Sequence, residues 1–197
     1  MEGVNHQLML IRWPKLQVWT WLFLLIGVGI LLFINSSWFL KRTVYPLPYQ
    51  DQVFYYSKKY GVDPYLVAGI MRVESSFKPR AESSRGARGL MQIMPETGQW
   101  AAEQIGLPDY DPIRLYDPEY NIQIGCWYLF NLNQEFRGNR LLVLAAYNAG
   151  SGRVQTWLAN GQWDGHWETI ENIPYPETRQ YLKKVLNDYQ IYQRLYE

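Results

Sequence analysis

Glu74 stands at the end of an apolar helical stripe, a place where a carboxyl group can do acid–base chemistry. Val67, Ile70 and Met71 fall at i, i+3 and i+4, and Glu74 at i+7 extends the same face. Asp63-Pro64 reads as the start of that helix, with Asp as N-cap and Pro at the first helical position. Pro79 disfavours helix at Lys78, so Glu74 falls in the last turns. The helix C-terminus and the apolar walls both disfavour an ionised carboxylate there, which pushes its pKa up. A carboxyl still protonated near neutral pH is what a general acid needs. The competing reading bends Glu74 back to solvent or pairs it with Arg72, Arg80 or Arg85, since most helical glutamates lie at the surface.

The residues that follow favour the first reading. Ser83–Leu90 (SSRGARGL) has the glycines and small residues of a tight loop. It runs into Leu90-Met91-Gln92-Ile93-Met94-Pro95, an apolar wall carrying a single amide. Glu74-Ser75-Ser76-Phe77, followed by Gly86-Ala87-x-Gly89-Leu90-Met91-Gln92-Ile93-Met94-Pro95, resembles the signature of the lytic transglycosylases. These are the soluble lytic transglycosylase-like domains of glycoside hydrolase family twenty-three. Ala146–Gly150 (AYNAG) and Ile173–Tyr181 (IPYPETRQY) resemble further blocks of that family, and the likeness covers Tyr49–Tyr192.

The resemblance implies roles for residues that have ordinary structural explanations as well. Ser83, nine residues after Glu74, would contact the sugar's N-acetyl group or the catalytic carboxyl; a loop serine bonding its own backbone is the plainer account. Gln92 and Met94 match residues lining the family's groove. Tyr147 would place its hydroxyl near the catalytic carboxyl, and Asn148 would brace the turn after it. Glu177, in the first turn of the last helix where the dipole favours an anion, would contact the muramoyl residue. Arg179 reads as a structural partner.

The elements that must position these groups are helical. The pattern predicts helices over Tyr49–Tyr60, from Pro64 through Glu74, over Pro95–Ile105, from Pro118 to near Phe136, over Leu141–Tyr147, over Ser151–Asn160, and from Pro176 onward. Leu107–Tyr116 and Gly161–Asn172 read as turns and loop, and no βαβ rhythm or strand alternation occurs. The expected fold class is all-α, which the resemblance refines to a lysozyme-like helical domain with a sugar-binding groove. Leu90–Met94 is the one candidate for a small hairpin.

Composition excludes several classes. The net charge is +1, and residues 1–40 carry Arg12 and Lys15 against Glu2, which leaves the rest of the chain neutral. A neutral domain without a basic stripe argues against nucleic acid as partner. His6, His166 and the single Cys126 cannot build a zinc cluster, and no motif calls for a cofactor. Cys126 sits in an apolar helical pattern as a small core residue. Ser75-Ser76-Phe77-Lys78 satisfies S-x-x-K, but its S-D-N and K-T-G companions are absent, so the match is by chance. The 16 tyrosines and 9 tryptophans suit both packing and sugar stacking.

No charge occurs from Leu16 to Leu40, and Leu16–Ile34 is almost continuously apolar. At 1.5 Å per residue, about 19 residues span about 28 Å, close to the hydrocarbon thickness of a bilayer. Trp13, Trp19 and Trp21 lie toward one end and Trp38 and Phe39 toward the other, as interfacial aromatics do. A cleaved signal peptide is the alternative, although Asn35-Ser36-Ser37-Trp38 makes a poor cleavage site. The expected organisation is a cytoplasmic tail (1–15), a transmembrane anchor (16–40), a linker (41–48) whose Thr43–Pro48 stretch is Pro-punctuated and extended, and the enzyme domain (49–197). Charge does not set the orientation, but a cell-wall substrate requires the domain outside the cytoplasm. The implied activity is peptidoglycan lytic transglycosylation at the N-acetylmuramic acid–β-1,4–N-acetylglucosamine bond. Partners are then the glycan strands and, through the N-terminal helix, a membrane; no protein partner is indicated. The alternatives are a hydrolytic goose-type lysozyme and a non-catalytic wall-binding scaffold.

Overall fold

The computed structural model describes residues 14–197, with side chains from residue 18 onward. The chain divides into two units, Met1–Pro46 and Leu47–Glu197.

In the first unit, helix α1 (Pro14–Ile34) stops where short polar side chains take over backbone hydrogen bonds. Asn35 Nδ2 donates to the Leu31 carbonyl at 2.8 Å, and Ser36 Oγ donates to the Phe33 carbonyl at 2.6 Å. Ser36 then caps the short helix α2 (Ser37–Phe39), accepting from the Phe39 N–H, and a π-helical turn over Leu40–Val44 follows. The expected anchor is therefore bent: Val18–Ile34 and Ser37–Val44 meet at 51°. Among the described residues no single helix is long and apolar enough to cross a membrane, although this pair passes together. The expected extended stretch Thr43–Pro48 also starts later, because Thr43 and Val44 are helical. Thr43 Oγ1 donates to the Phe39 carbonyl at 2.6 Å and keeps residues 41–44 helical.

The second unit is built from α3 (Gln50–Tyr60), α4 (Pro64–Ser75), α5 (Pro95–Gln104), α6 (Pro118–Glu135), α7 (Arg140–Ala149), α8 (Ser151–Ala159) and α9 (Pro176–Tyr196). Asp63 caps α4 by accepting from the Tyr65 and Leu66 N–H groups, and Asp117 caps α6 by accepting from Tyr120. Residues 107–116 end in a 3-10 turn over Pro112–Tyr116. Among the described residues there is no strand; Glu82, Arg88 and Ile93 form isolated antiparallel bridges, so the expected hairpin reduces to a knot of loop bonds.

Helix α7 threads the core, with Leu142, Val143, Leu144, Ala145 and Ala146 all buried. Each such leucine or valine contributes on the order of 1.5–3 kcal/mol relative to exposure. Helices α4 and α9 meet at backbone contact: a Cβ on Gly69 would lie 3.1 Å from the Val185 carbonyl and 3.2 Å from the Tyr189 nitrogen. Arg72 Nε to Asp188 Oδ2 (3.3 Å) and the Tyr189 hydroxyl donating to Asp63 Oδ2 (2.9 Å) fix their register. That contact holds the Glu74 end of α4 against the first turns of α9.

Candidate active site

Glu74 is the penultimate residue of α4, and the chain reverses at once through Ser76 (φ 51°) and Phe77 (φ 61°). Ser75 is buried and donates its hydroxyl to the Leu90 carbonyl at 2.7 Å, which draws the 81–94 loop against the helix end. Glu74 keeps one edge open to the cleft, yet most of the space around its carboxyl is protein. Its pKa is pushed up to about 7, chiefly by that burial; the Tyr181 hydroxyl pulls it down and the nearby Glu177 charge pushes it further up. The Tyr181 hydroxyl is buried and meets no acceptor in hydrogen-bond geometry, so its approach to Glu74 is loose, as catalytic contacts often are without substrate. Among the described residues Glu74 forms no ion pair; Arg72 is engaged with Asp188 instead.

The 81–94 loop packs against the end of α4 that carries Glu74, and its shape comes from backbone bonds. Ser83 N–H donates to the Ala87 carbonyl (2.9 Å), and Arg88 and Ile93 exchange N–H···O bonds of 2.9 and 3.0 Å. Gly89 (φ 78°) leaves no room for a side chain: a Cβ would lie 2.1 Å from the Leu115 carbonyl oxygen and 2.3 Å from Asn121 Nδ2. Tyr147, in the last turn of α7, donates its hydroxyl to the Met91 carbonyl at 2.8 Å. Burial and the neighbouring Glu74 both hold the Tyr147 and Tyr181 phenols well above their ordinary pKa.

The structure brings Glu74, Tyr147, Tyr181 and Glu177 together across the ends of α4, α7 and α9. Glu177 is exposed at the rim. Asn148 Oδ1 accepts from the buried Thr178 hydroxyl at 2.8 Å, tying the end of α7 to the first turn of α9 beside Glu177. Ser83 Oγ accepts from the Ala87 N–H at 3.0 Å and so acts as a loop brace whose own proton remains free to donate. Gln92 Nε2 donates to the Ala81 and Gly89 carbonyls (3.1 and 3.0 Å), which leaves Oε1 for a ligand. Met94 is 37% exposed at the start of α5. Arg179 donates to the Glu171 carbonyl at 2.6 Å, the structural role expected of it.

One buried residue of the site carries no obvious signal in the sequence, and a second was not singled out. Asn121, fully buried on α6, accepts from the Met91 N–H (2.7 Å) and donates to the Arg88 (2.9 Å) and Leu115 (2.8 Å) carbonyls. Tyr181 closes the Ile173–Tyr181 block four residues after Glu177, one helical turn on, and that spacing puts the two on one face of α9.

Residues 51–170 match the transglycosylase SLT domain. The chain belongs to that family. As an SLT-domain chain it is 43% identical over 145 residues to the soluble lytic murein transglycosylase of Escherichia coli K12, an alignment covering 72% of this chain and 22% of that protein. It is 34% identical over 175 residues to the membrane-bound lytic murein transglycosylase C of Edwardsiella ictaluri, covering 75% of this chain and 47% of that one. The chain thus spans about a fifth to a half of the length of these relatives. Its fold matches the crystal structure of a lytic transglycosylase from Pseudomonas aeruginosa, solved as an inactive Glu-to-Gln mutant. The TM-score is 0.73 at 35% identity, over 83% of this chain and 26% of that one. The 70-kDa soluble lytic transglycosylase in complex with bulgecin A superposes with a TM-score of 0.72 at 40% identity, over 79% of this chain and 25% of that one.

Proposed function

We propose that this SLT-domain chain is a peptidoglycan lytic transglycosylase of glycoside hydrolase family twenty-three in which Glu74 alone carries the proton transfers. The observation that carries the reading is the Glu74 carboxyl itself, raised to about 7 by burial, without an ion-pair partner among the described residues, beside two buried phenols. Protonated Glu74 donates to the glycosidic oxygen between N-acetylmuramic acid and N-acetylglucosamine. The bond from the anomeric carbon to that oxygen breaks, its electrons leaving with the freed 4-hydroxyl. The oxocarbenium-like or N-acetyl-assisted centre is then attacked by the muramic acid's own 6-hydroxyl, whose proton returns to Glu74. No water is consumed, and the product ends in a 1,6-anhydro sugar.

The remaining residues bind and orient. The Ser83 hydroxyl proton and Gln92 Oε1 face a sugar and its N-acetyl group, Met94 offers an apolar edge, and Tyr147, held by Met91, sets the position of the acid. Glu177, braced through Asn148 and Thr178, meets the muramoyl side. The relatives, lytic murein transglycosylases, support this substrate. The inactive Glu-to-Gln mutant of the Pseudomonas enzyme supports a glutamate as the essential acid.

Residues 16–40 serve as the anchor, with residues 1–15 as a cytoplasmic tail and 49–197 outside the cytoplasm. The long uncharged run and the bent helix pair support this placement. Recovery of a full-length chain from membranes washed in salt and alkali bears it out; a soluble product starting near residue 38 means a signal peptide.

A second reading rests on Glu177, a carboxylate within electrostatic reach of Glu74, which as base to a water would give hydrolysis of the lysozyme kind. Glu74→Gln tests the common core of both readings. It keeps the fold and lowers peptidoglycan cleavage by on the order of 100-fold or more. A folded Gln variant that cleaves at the parent rate overturns the assignment.

A further inference from the structure

Four aromatic rings form a path from the Glu74 site to the surface between α5 and α6. Tyr147, whose phenol neighbours Glu74, lies 5.5 Å ring to ring from Tyr128. Tyr128 meets Trp100 edge-on at 6.3 Å, and Trp100 meets Trp127 at 4.9 Å. Each step is on the scale of one pyranose unit. Tyr128 and Trp127 are half-buried, and Trp100 stands 39% exposed. Packing does not require a tryptophan there, because α5 turns Gly98, Ala101 and Ala102 to the core. The proton transfers proposed for Glu74 leave the outer two rings unused.

The chemistry of the patch selects its occupant. Neither α5 nor α6 contains a lysine or an arginine, so an anionic partner finds no counter-charge on them. A pyranose ring offers a face of C–H bonds polarised by adjacent oxygens, which settles on the negative face of an aromatic ring while the rim hydroxyls keep their water. We propose that Trp100 and Trp127, continued inward by Tyr128, form a further saccharide subsite for an N-acetylhexosamine unit remote from the scissile bond. This rests on the reading of the Glu74 site as one that holds a glycan strand, and it adds a dependence on strand length that Glu74 and its neighbours alone do not supply.

The test uses the full chain in detergent, with Glu74→Gln to prevent turnover, and calorimetric titration with β-1,4-linked N-acetylglucosamine oligomers of two to six units. Adding Trp100→Leu, which keeps apolar volume but removes the ring, weakens binding of the six-unit oligomer roughly tenfold, the loss of one well-placed aromatic contact, and leaves the two-unit oligomer unchanged. Trp100→Phe restores most of the loss. Trp100→Gln, suited to an exposed helix position, replaces Trp100→Leu if that variant does not fold. Unchanged six-unit binding without the ring, while the unmutated chain still cleaves peptidoglycan, overturns the subsite alone. A well-folded chain that binds no oligomer and cleaves no peptidoglycan overturns the Glu74 reading and the subsite together.

Discussion

The Met91 N–H donates to Asn121 Oδ1 at 2.7 Å, and through this bond a fully buried amide on α6 holds the loop that packs against the Glu74 end of α4. The same side chain donates to the Arg88 and Leu115 carbonyls, and so gathers two backbone points of the loop and one of the 3-10 turn around one carboxamide. A buried amide is retained when every one of its bonds is made, since each unmet partner is costly.

Asn121→Leu removes the side-chain partner of the Met91 N–H and of the Leu115 carbonyl in a nearly dry setting, and leaves the Arg88 carbonyl with only its bond from Ile93. The expected cost is on the order of 2–4 kcal/mol, read as a lower urea midpoint at unchanged slope. Cleavage should fall further than stability does, because Tyr147 hangs from the same Met91 peptide. A variant within about 0.5 kcal/mol of the parent would mean that the loop holds itself without Asn121.

Two glycines of the loop separate strain from crowding. Gly86 (φ 85°) has open space where a Cβ would stand, so Gly86→Ala costs about 1 kcal/mol of backbone strain. Gly89 has a similar φ of 78° but no space, so Gly89→Ala must push Asn121 or the Leu115 peptide aside. Thermal denaturation of the two variants should place Gly89→Ala well below Gly86→Ala. Equal midpoints would contradict the close approach.

The Glu74 carboxyl gives a pH dependence with a definite sign. Its folded pKa of about 7 lies above the ordinary value of 4.5, so the fold favours the protonated form. The stability tied to that form is complete below the ordinary value and is lost as pH rises through about 7. Glu74→Gln should therefore be less pH-sensitive than the parent over this window and more stable than it above pH 7. Peptidoglycan cleavage should fall on the alkaline side with an apparent pKa near 7. Tyr181→Phe removes the hydroxyl that pulls this value down, so the alkaline limb should move to higher pH. A limb that moves lower, or stays put, would show that Tyr181 does not act on the carboxyl.

What the sequence made legible was local. Asp63-Pro64 and Asp117-Pro118 announce their helices because cap and capped N–H groups lie within three residues of each other. The Glu74 face follows from helical periodicity alone, and the buried run from Leu142 to Ala146 marks α7 as central. Asn121 was illegible because its partners at Met91 and Arg88 lie 30 and 33 residues away, and on α6 it interrupts an apolar face without local reason. The direction of the Gln92 amide was hidden for the same reason, since Ala81 approaches it only through the fold of the loop. The bend at residues 35–36 was open to reading, because Asn and Ser compete for helix carbonyls, but the surrounding apolar run masked it.

In the proposed reaction one carboxyl group, Glu74, cleaves the strand by directing the sugar's own 6-hydroxyl onto the anomeric carbon. The most direct measurement is mass spectrometry of the muropeptides that the purified full chain releases from peptidoglycan. The expected products carry 1,6-anhydromuramoyl ends, each lighter by one water than a hydrolytic product, and disappear with Glu74→Gln. Reducing muramic ends would contradict it and transfer the second carboxylate role to Glu177.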